Sequence, residues 1–194
     1  AGPAGRGVLA ERGGGGCGDG RKKNRADCGI ETGEELREAL ALVRQRASAG
    51  GADTLWVEET LKSAALAHAA RLLGLFYSEE LPALLGLEAT GGGHGLRSRT
   101  VLTTVGEVAY TRAYTADADG TRRFPLDEAL GIADGCTPAM ASMMTWAGAS
   151  FGSYDTAGEA LERLAGLTVP GRRVQRVVNS AAEREAAWVA AREP

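Results

Sequence analysis

The chain has 194 residues, of which 44% are hydrophobic, and its formal net charge is only -3. This composition predicts a globular chain, and a charge so small means that any contact with a polyanion must come from locally clustered Arg and Lys. The three cysteines, Cys17, Cys28 and Cys136, form no Cys-x-x-Cys pair, which argues against a disulfide framework and a zinc ribbon and favours a cytoplasmic location. No apolar run is long enough to span a membrane, so no membrane partner is expected.

Residues 1–33 are predicted to form a disordered, glycine-rich basic tail. They combine glycines at positions 13–16 with the basic cluster RKKNR at 21–25 and have little apolar surface to bury. A phosphate-binding loop is the sharper alternative, since Gly15 and Gly20 have its spacing. Arg21 and Lys22 replace the Lys and Ser/Thr that such a loop needs, however, and no strand precedes it.

Residues 34–96 are predicted to form an N-terminal helical segment. A first helix has Leu36, Leu40 and Val43 on one face, and a second opens near Asp53 or Thr54 after glycines at 50–51. The second helix is predicted to end near Gly74 or shortly after, and a short helix follows at about 79–87. His68 is interpreted as a packed residue, because no ligand partner stands at metal-binding spacing. The apolar stripe of the second helix consists of Leu61, Ala65, Ala69, Leu72 and Phe76.

Residues 97–133 are predicted to form a β-hairpin and a connector. The stretches 100–105 and 107–114 are rich in Val, Thr and Tyr, and Gly106 suits a tight turn between them. Alternation places Arg112 on one face with Val108, Tyr110 and Tyr114, where a solvated strand edge is favoured over a clamp between aromatic rings. Asp127 and Glu128 are adjacent, so they point apart on a helix and are interpreted as helix-start charges rather than an acid/base pair.

Residues 134–194 are predicted to form three helices. Thr137 caps the first, which has Pro138 at its first position, and Ser153 caps the second, which has Asp155 in its first turn. A turn at 166–171 precedes the third helix. Apolar positions assigned to the core are Met140, Met144, Ala147, Tyr154, Ala157, Leu161, Leu164, Val174, Val177, Val178 and Ala181.

The segment GASFG at 148–152 matches the Gly-x-Ser-x-Gly pattern of serine hydrolases. That motif requires a strand before the serine and a catalytic histidine after it. The residues before Ser150 have a helical pattern, and no histidine follows His94. No catalytic residue, metal ligand or cofactor site is therefore predicted.

The last two helices are typical of a helix-turn-helix unit, because the second presents cations and amides opposite its apolar face. Arg binds guanine edges or phosphates, and Gln and Asn pair with adenine in the major groove. A protein-interaction or dimerisation module, in which the arginines only solvate the helix, is the alternative. The predicted DNA-binding residues are Arg172, Arg173, Gln175, Arg176, Asn179 and Arg184.

Several segments resemble the ISKra group of bacterial insertion-sequence transposases. They are TVLTTVGEV at 100–108, RAY at 112–114, FPLDEALG at 124–131, and LAGLTV and VQRV within 164–177. The resemblance covers roughly residues 97–188 and implies that residues 137–190 recognise the terminal repeats of the element in double-stranded DNA. The predicted elements together indicate an α+β, mostly α fold. Besides duplex DNA, a second copy of the chain in a homo-oligomer is left open as a partner.

In that group an RNase H-like domain with two catalytic metal ions follows these segments. The chain begins at Ala1 and ends at Pro194 without such a domain, so we expect a non-catalytic fragment of a transposase rather than an enzyme. The family also commonly has a Cys-x-x-Cys pair after the second strand, where this chain has Ala116 and Asp119. A zinc site is therefore not expected there.

Overall fold

The computed structural model describes residues 33–87, 95–116 and 119–192. The predicted basic tail lies outside the described residues except for Gly33, as do His94 and the glycines before it. The described chain has the predicted α+β, mostly α architecture, with a helical N-terminal segment, a β-hairpin and a C-terminal three-helix bundle.

The N-terminal segment is a helical hairpin. Helix α1 spans Glu34–Ser48 and helix α2 spans Thr54–Leu75, followed by a π-helical turn at Phe76–Glu80 and the short helix α3 at Leu81–Leu84. The predicted start of α2 is confirmed, because the Asp53 carboxylate accepts a hydrogen bond from the Trp56 N–H at 2.7 Å. An ion pair between Arg71 and Glu35, at 3.0 Å, joins the two helices.

The predicted β-hairpin is confirmed, with strand β1 at Leu96–Thr103 and strand β2 at Gly106–Ala113. The strands are antiparallel, and Thr103 stands opposite Gly106, so the turn consists of Thr104 and Val105 rather than Gly106. Gly106 instead opens β2 at a φ of 115°. A two-residue ribbon follows, in which β3 (Thr115–Ala116) pairs with β4 (Arg122–Arg123), and it leads into helix α4 at Pro125–Ala129.

Helix α2 packs against β2 at Gly74. A Cβ added at Gly74 would lie 2.5 Å from the Ala109 carbonyl oxygen, so only glycine allows this approach. The prediction that α2 ends near Gly74 or shortly after is confirmed, since the helix ends at Leu75, and Gly74 serves helix–strand packing. The stripe assignment was partly wrong: Leu72 and Phe76 are 45% and 37% exposed and Ala65 is exposed as well, whereas Leu73 and Tyr77 pack on the hairpin core.

The C-terminal bundle contains helices α5 (Pro138–Ser150), α6 (Tyr154–Ala165) and α7 (Gly171–Ala190). Both predicted caps are confirmed, because Thr137 accepts from the Met140 N–H and Ser153 from the Thr156 N–H. One predicted core residue is wrong, since Leu164 is 73% exposed. The residues that share the buried core are Leu102, Cys136, Met140, Met144, Ala147, Ala157, Leu161, Leu167, Val169, Val174 and Val177.

The tip of the hairpin is fixed to this bundle. The Leu102 N–H donates to the Gly135 carbonyl and the Thr137 N–H donates to the Leu102 carbonyl, both at 3.0 Å. The Leu102 side chain is 4% exposed and belongs to the bundle core. The hairpin and the bundle are therefore joined through both backbone and side chain. Among the residues described, no helix has the length and apolar character that crossing a bilayer requires.

Candidate nucleic-acid interface

The turn between α6 and α7 is tightly fixed. Helix α6 ends at Ala165 and is capped by Gly166, whose φ of 73° is left-handed. The chain then buries Leu167 and Val169, which are 3% and 4% exposed. These two residues take the place in the core that was expected for Leu164. The turn also packs on Gly158 of α6, where an added Cβ would lie 2.5 Å from the Val169 carbonyl oxygen. The start of α7 is thus positioned by close backbone contacts.

The first residue of α7, Gly171, lies directly against the start of α6. A Cβ at Gly171 would meet the Asp155 carboxylate and would lie 2.8 Å from the backbone nitrogen of Asp155. A carboxylate beside the first turn of α7 is favourable, because the helix dipole is positive at its N-terminus. Since Asp155 already lies at this helix end, anion binding by α7 has to involve its side face.

That side face is exposed as predicted. Arg172, Gln175, Arg176 and Asn179 are all exposed, whereas Val174 and Val177 on the opposite side are fully buried. We call these four exposed residues the α7 polar face. They line a shallow depression together with Asp134, Ser180 and Glu183. Side chains at spacings of three and four residues lie next to each other on a helix, so the face presents two guanidinium groups alternating with two amides.

Within the described residues, neither Arg172 nor Arg176 forms an ion pair or a side-chain hydrogen bond. Their donors are therefore available to an external acceptor. A guanidinium offers five N–H groups in a planar fork that matches a phosphate or the guanine edge, and each amide offers both a donor and an acceptor. Asp134 and Glu183 line the same depression, so its cationic character rests on Arg172 and Arg176.

The other two predicted arginines are placed differently. The Arg173 Nη2 donates to the Gly135 carbonyl at 2.8 Å, and its Nη1 lies 4.0 Å from Glu107 at the hairpin tip. Arg173 therefore braces the hairpin against α7 with a side chain that is 25% exposed. Arg184 is exposed, and its Nη1 donates to Ser180 at 3.0 Å. It lines a separate cavity beside Trp146 rather than the α7 polar face.

A buried polar cluster beneath the hairpin was missed by sequence reasoning. The Asp127 carboxylate accepts hydrogen bonds from the Tyr110 hydroxyl, from Arg99 and, at 2.7 Å, from the Arg112 Nε. Arg112 is 8% exposed and lies over the Phe124 ring, 3.9 Å from its centroid. Burial, and then the hydrogen bond to Asp127, raise the pKa of Tyr110 above its ordinary value, so the phenol remains a donor at neutral pH.

This cluster corrects the interpretation of Arg112 and adds a second role to Asp127, which does lie at a helix start as predicted. Arg112 is not a solvated edge residue but lies buried between an aromatic ring and a carboxylate, and Asp127 is a buried acceptor as well as a residue of the first turn of α4. The sequence pattern that could have predicted the burial of Arg112 is its alternation with Val108 and Tyr110, because this alternation places the arginine on the core face of the strand. Because Asp127 already engages Arg99 and Arg112, the cluster stabilises the fold and leaves little capacity to bind an external anion.

Ser150 of the Gly-x-Ser-x-Gly segment is the last residue of α5, so a helix precedes it, as predicted. Its surroundings therefore lack the strand-to-helix turn that activates such a serine. Comparison with protein-family models, with curated proteins and with solved structures finds no match for the chain.

Proposed function

We propose that this protein binds double-stranded DNA through the α7 polar face, as the DNA-recognising and non-catalytic portion of an insertion-sequence transposase acting in the bacterial cytoplasm. The observation that carries the proposal is that Arg172 and Arg176 are exposed and without a counter-ion in the described chain, beside the amides of Gln175 and Asn179. Transposase membership and terminal-repeat recognition rest on the resemblance of residues 97–188 to the ISKra group.

The arrangement of α6 and α7 supports a groove-reading role. Helix α6, a short turn and helix α7 follow one another. Helix α7 buries its aliphatic side, and the polar side of its first turns is exposed. In helix-turn-helix proteins the N-terminal residues of the second helix contact base edges in the major groove. Within the α7 polar face, Arg172 and Arg176 supply charge and Gln175 and Asn179 supply hydrogen-bonding specificity.

Salt dependence of binding tests the proposal. The affinity of the chain for a duplex should fall steeply with KCl concentration, because each neutralised phosphate releases a counterion and contributes about 0.9 to the slope of log K against log salt. In the double variant R172A/R176A the magnitude of this slope should fall by up to about 1.8 if both residues contact phosphate. Fluorescence anisotropy of a labelled duplex measures both quantities.

Arg44→Ala is the matched control, since Arg44 is an exposed arginine of α1 remote in sequence from α7. The salt slope of this variant should equal that of the wild type.

The competing function is a protein-interaction or dimerisation module, favoured by the exposed end of α7, where Trp188 and Val189 are 55% and 43% exposed. If the chain forms stable oligomers and its affinity for duplex is indifferent to R172A/R176A, that function replaces the proposed one.

A further inference from the structure

A pair of arginines lies at the end of the hairpin that is farthest from the bundle. Arg97 is on β1, Arg122 is on β4, and Tyr114 follows β2. The guanidinium carbons of Arg97 and Arg122 lie 5.8 and 5.4 Å from the centroid of the same Tyr114 ring. We call Arg97, Arg122 and Tyr114 the tyrosine clamp. The short β3–β4 pairing brings Arg122 back beside the hairpin, so the ribbon is what assembles the clamp.

The two cations of the clamp are exposed, and within the described part of the chain neither forms an ion pair or a hydrogen bond. They contrast with Arg99 of β1 and Arg112 of β2, which share Asp127. The carboxylate of Asp119 accepts the Thr121 N–H at 2.9 Å, and that hydrogen bond lowers the pKa of Asp119. Asp119 is thus ionised at neutral pH, but its described partner is a backbone N–H rather than a clamp arginine.

Both guanidinium groups lie beside one ring, and a cation–π contact at an exposed site contributes little and leaves the charge of the arginine in place. A polyanion that passes over this ring would be attracted to both cations, and the planar forks of arginine match the oxygens of a phosphate. We propose, on the basis of the proposed function, that the tyrosine clamp is a second surface for the phosphates of the same duplex DNA, which it contacts outside the segment bound by α7.

The length of the hairpin, from its tip beside α7 to the tyrosine clamp, is short enough for one duplex to contact both surfaces. The hairpin tip is fixed beside α7, because Gly135 accepts both the Leu102 N–H and the Arg173 Nη2. From Thr103 at the tip to Arg97 in the clamp, a strand rising about 3.3 Å per residue extends about 20 Å. At about 3.4 Å per base pair this corresponds to about six base pairs. A duplex longer than the α7 site therefore has flanking phosphates that can reach the clamp.

Anisotropy measurements with duplexes of two lengths test this assignment. With a duplex of about 30 base pairs, the variant R97A/R122A should reduce the magnitude of the salt slope by up to about 1.8, whereas R97K/R122K should keep it, because lysine preserves the charge. With a duplex of about 10 base pairs, one helical turn, R97A/R122A should bind as the wild type does. Arg44→Ala serves as the control, and circular dichroism verifies that each variant is folded.

The outcomes separate the two claims. If the wild type binds with a steep slope that R172A/R176A reduces but R97A/R122A leaves unchanged on the long duplex, the clamp is not a phosphate surface and the role of α7 stands. If R97K/R122K loses as much slope as R97A/R122A, the effect comes from the fold of the ribbon and the assignment fails. If the wild type binds neither duplex, both the proposed function and the clamp are overturned.

Discussion

Replacing Asp127 with alanine should lower the free energy of unfolding by about 3–5 kcal/mol, because it leaves a buried cation without its counter-ion. Asp127 is 6% exposed and accepts hydrogen bonds from Tyr110, Arg99 and Arg112. Without the carboxylate, the buried Arg112 guanidinium has the Phe124 and Tyr110 rings beside it but no counter-ion, and the Tyr110 hydroxyl loses its acceptor. Since small domains are stable by about 5–15 kcal/mol, the variant should be close to unfolding. Urea denaturation at neutral pH measures the loss.

Glu128→Ala provides the matched control for Asp127→Ala. Glu128 is the next residue of α4, carries the same charge and is exposed, so its removal should change the free energy of unfolding by no more than about 0.5 kcal/mol. Equal stability of the two variants would show that the cluster does not hold α4 on the hairpin. The difference between the losses in the free energy of unfolding of the two variants thus measures how much the buried contacts of Asp127 contribute to stability.

Replacing Gly171 with alanine should destabilise the bundle by about 1–3 kcal/mol through overpacking. The added Cβ would lie 2.8 Å from the backbone nitrogen of Asp155 and from the backbone carbonyl carbon of Tyr154, and backbone atoms cannot turn aside as a side chain can. Alanine has the higher helix propensity by about 1 kcal/mol, but at this position the steric cost exceeds that gain. The thermal unfolding midpoint should fall accordingly.

Gly152→Ala is the control for Gly171→Ala, because no atom lies within 4 Å of a Cβ built at Gly152 and its φ is not positive. Its stability should be unchanged or slightly increased, since alanine restricts the unfolded chain. A Gly171→Ala protein as stable as Gly152→Ala would mean that α6 and α7 are not in close contact at their N-termini. The placement of the α7 polar face would then require revision.

The helices of the bundle were well predicted because their signals are local. Thr137, Ser153 and Pro138 mark helix starts through backbone constraints that act within one turn. The apolar positions of α7 recur at three- and four-residue spacing, and this spacing alone predicts both its buried Val174 and Val177 and its exposed polar face. A strong amphipathic pattern fixes which side of a helix is covered, provided that the helix lies on a surface.

Helix α2 shows where such reasoning fails. Leucines occur on several sides of it, so the periodicity allowed more than one stripe, and tertiary packing on β2 selected the side with Leu73 and Gly74 rather than Leu72 and Phe76. The prediction that Leu164 is a core residue was wrong for a related reason. The chain leaves α6 at Gly166, and Leu167 and Val169 of the following turn fill the core in its place.

Candidate polar sites were harder to predict than the elements that carry them. Asp127 and Arg112 are 15 residues apart, and no local pattern shows that the fold brings them together. The tyrosine clamp depends in the same way on the β3–β4 ribbon, which returns Arg122 to the hairpin. By contrast, the α7 polar face lies on one helix, so its members could be grouped from spacing alone. Arg173, one residue from Arg172, was not distinguished from them because its brace to Gly135 is a long-range contact.

Mapping of backbone amide shifts by NMR, during titration of the full chain with duplex DNA, tests the central claim most directly. If α7 enters a groove, the largest shifts should occur at residues 172–179, with the amides of α1 at 36–43 unaffected. Large shifts confined to the end of α7 near Trp188 that appear on raising the protein concentration, and none at 172–179 on adding duplex, would contradict the account and identify α7 as a helix that binds protein.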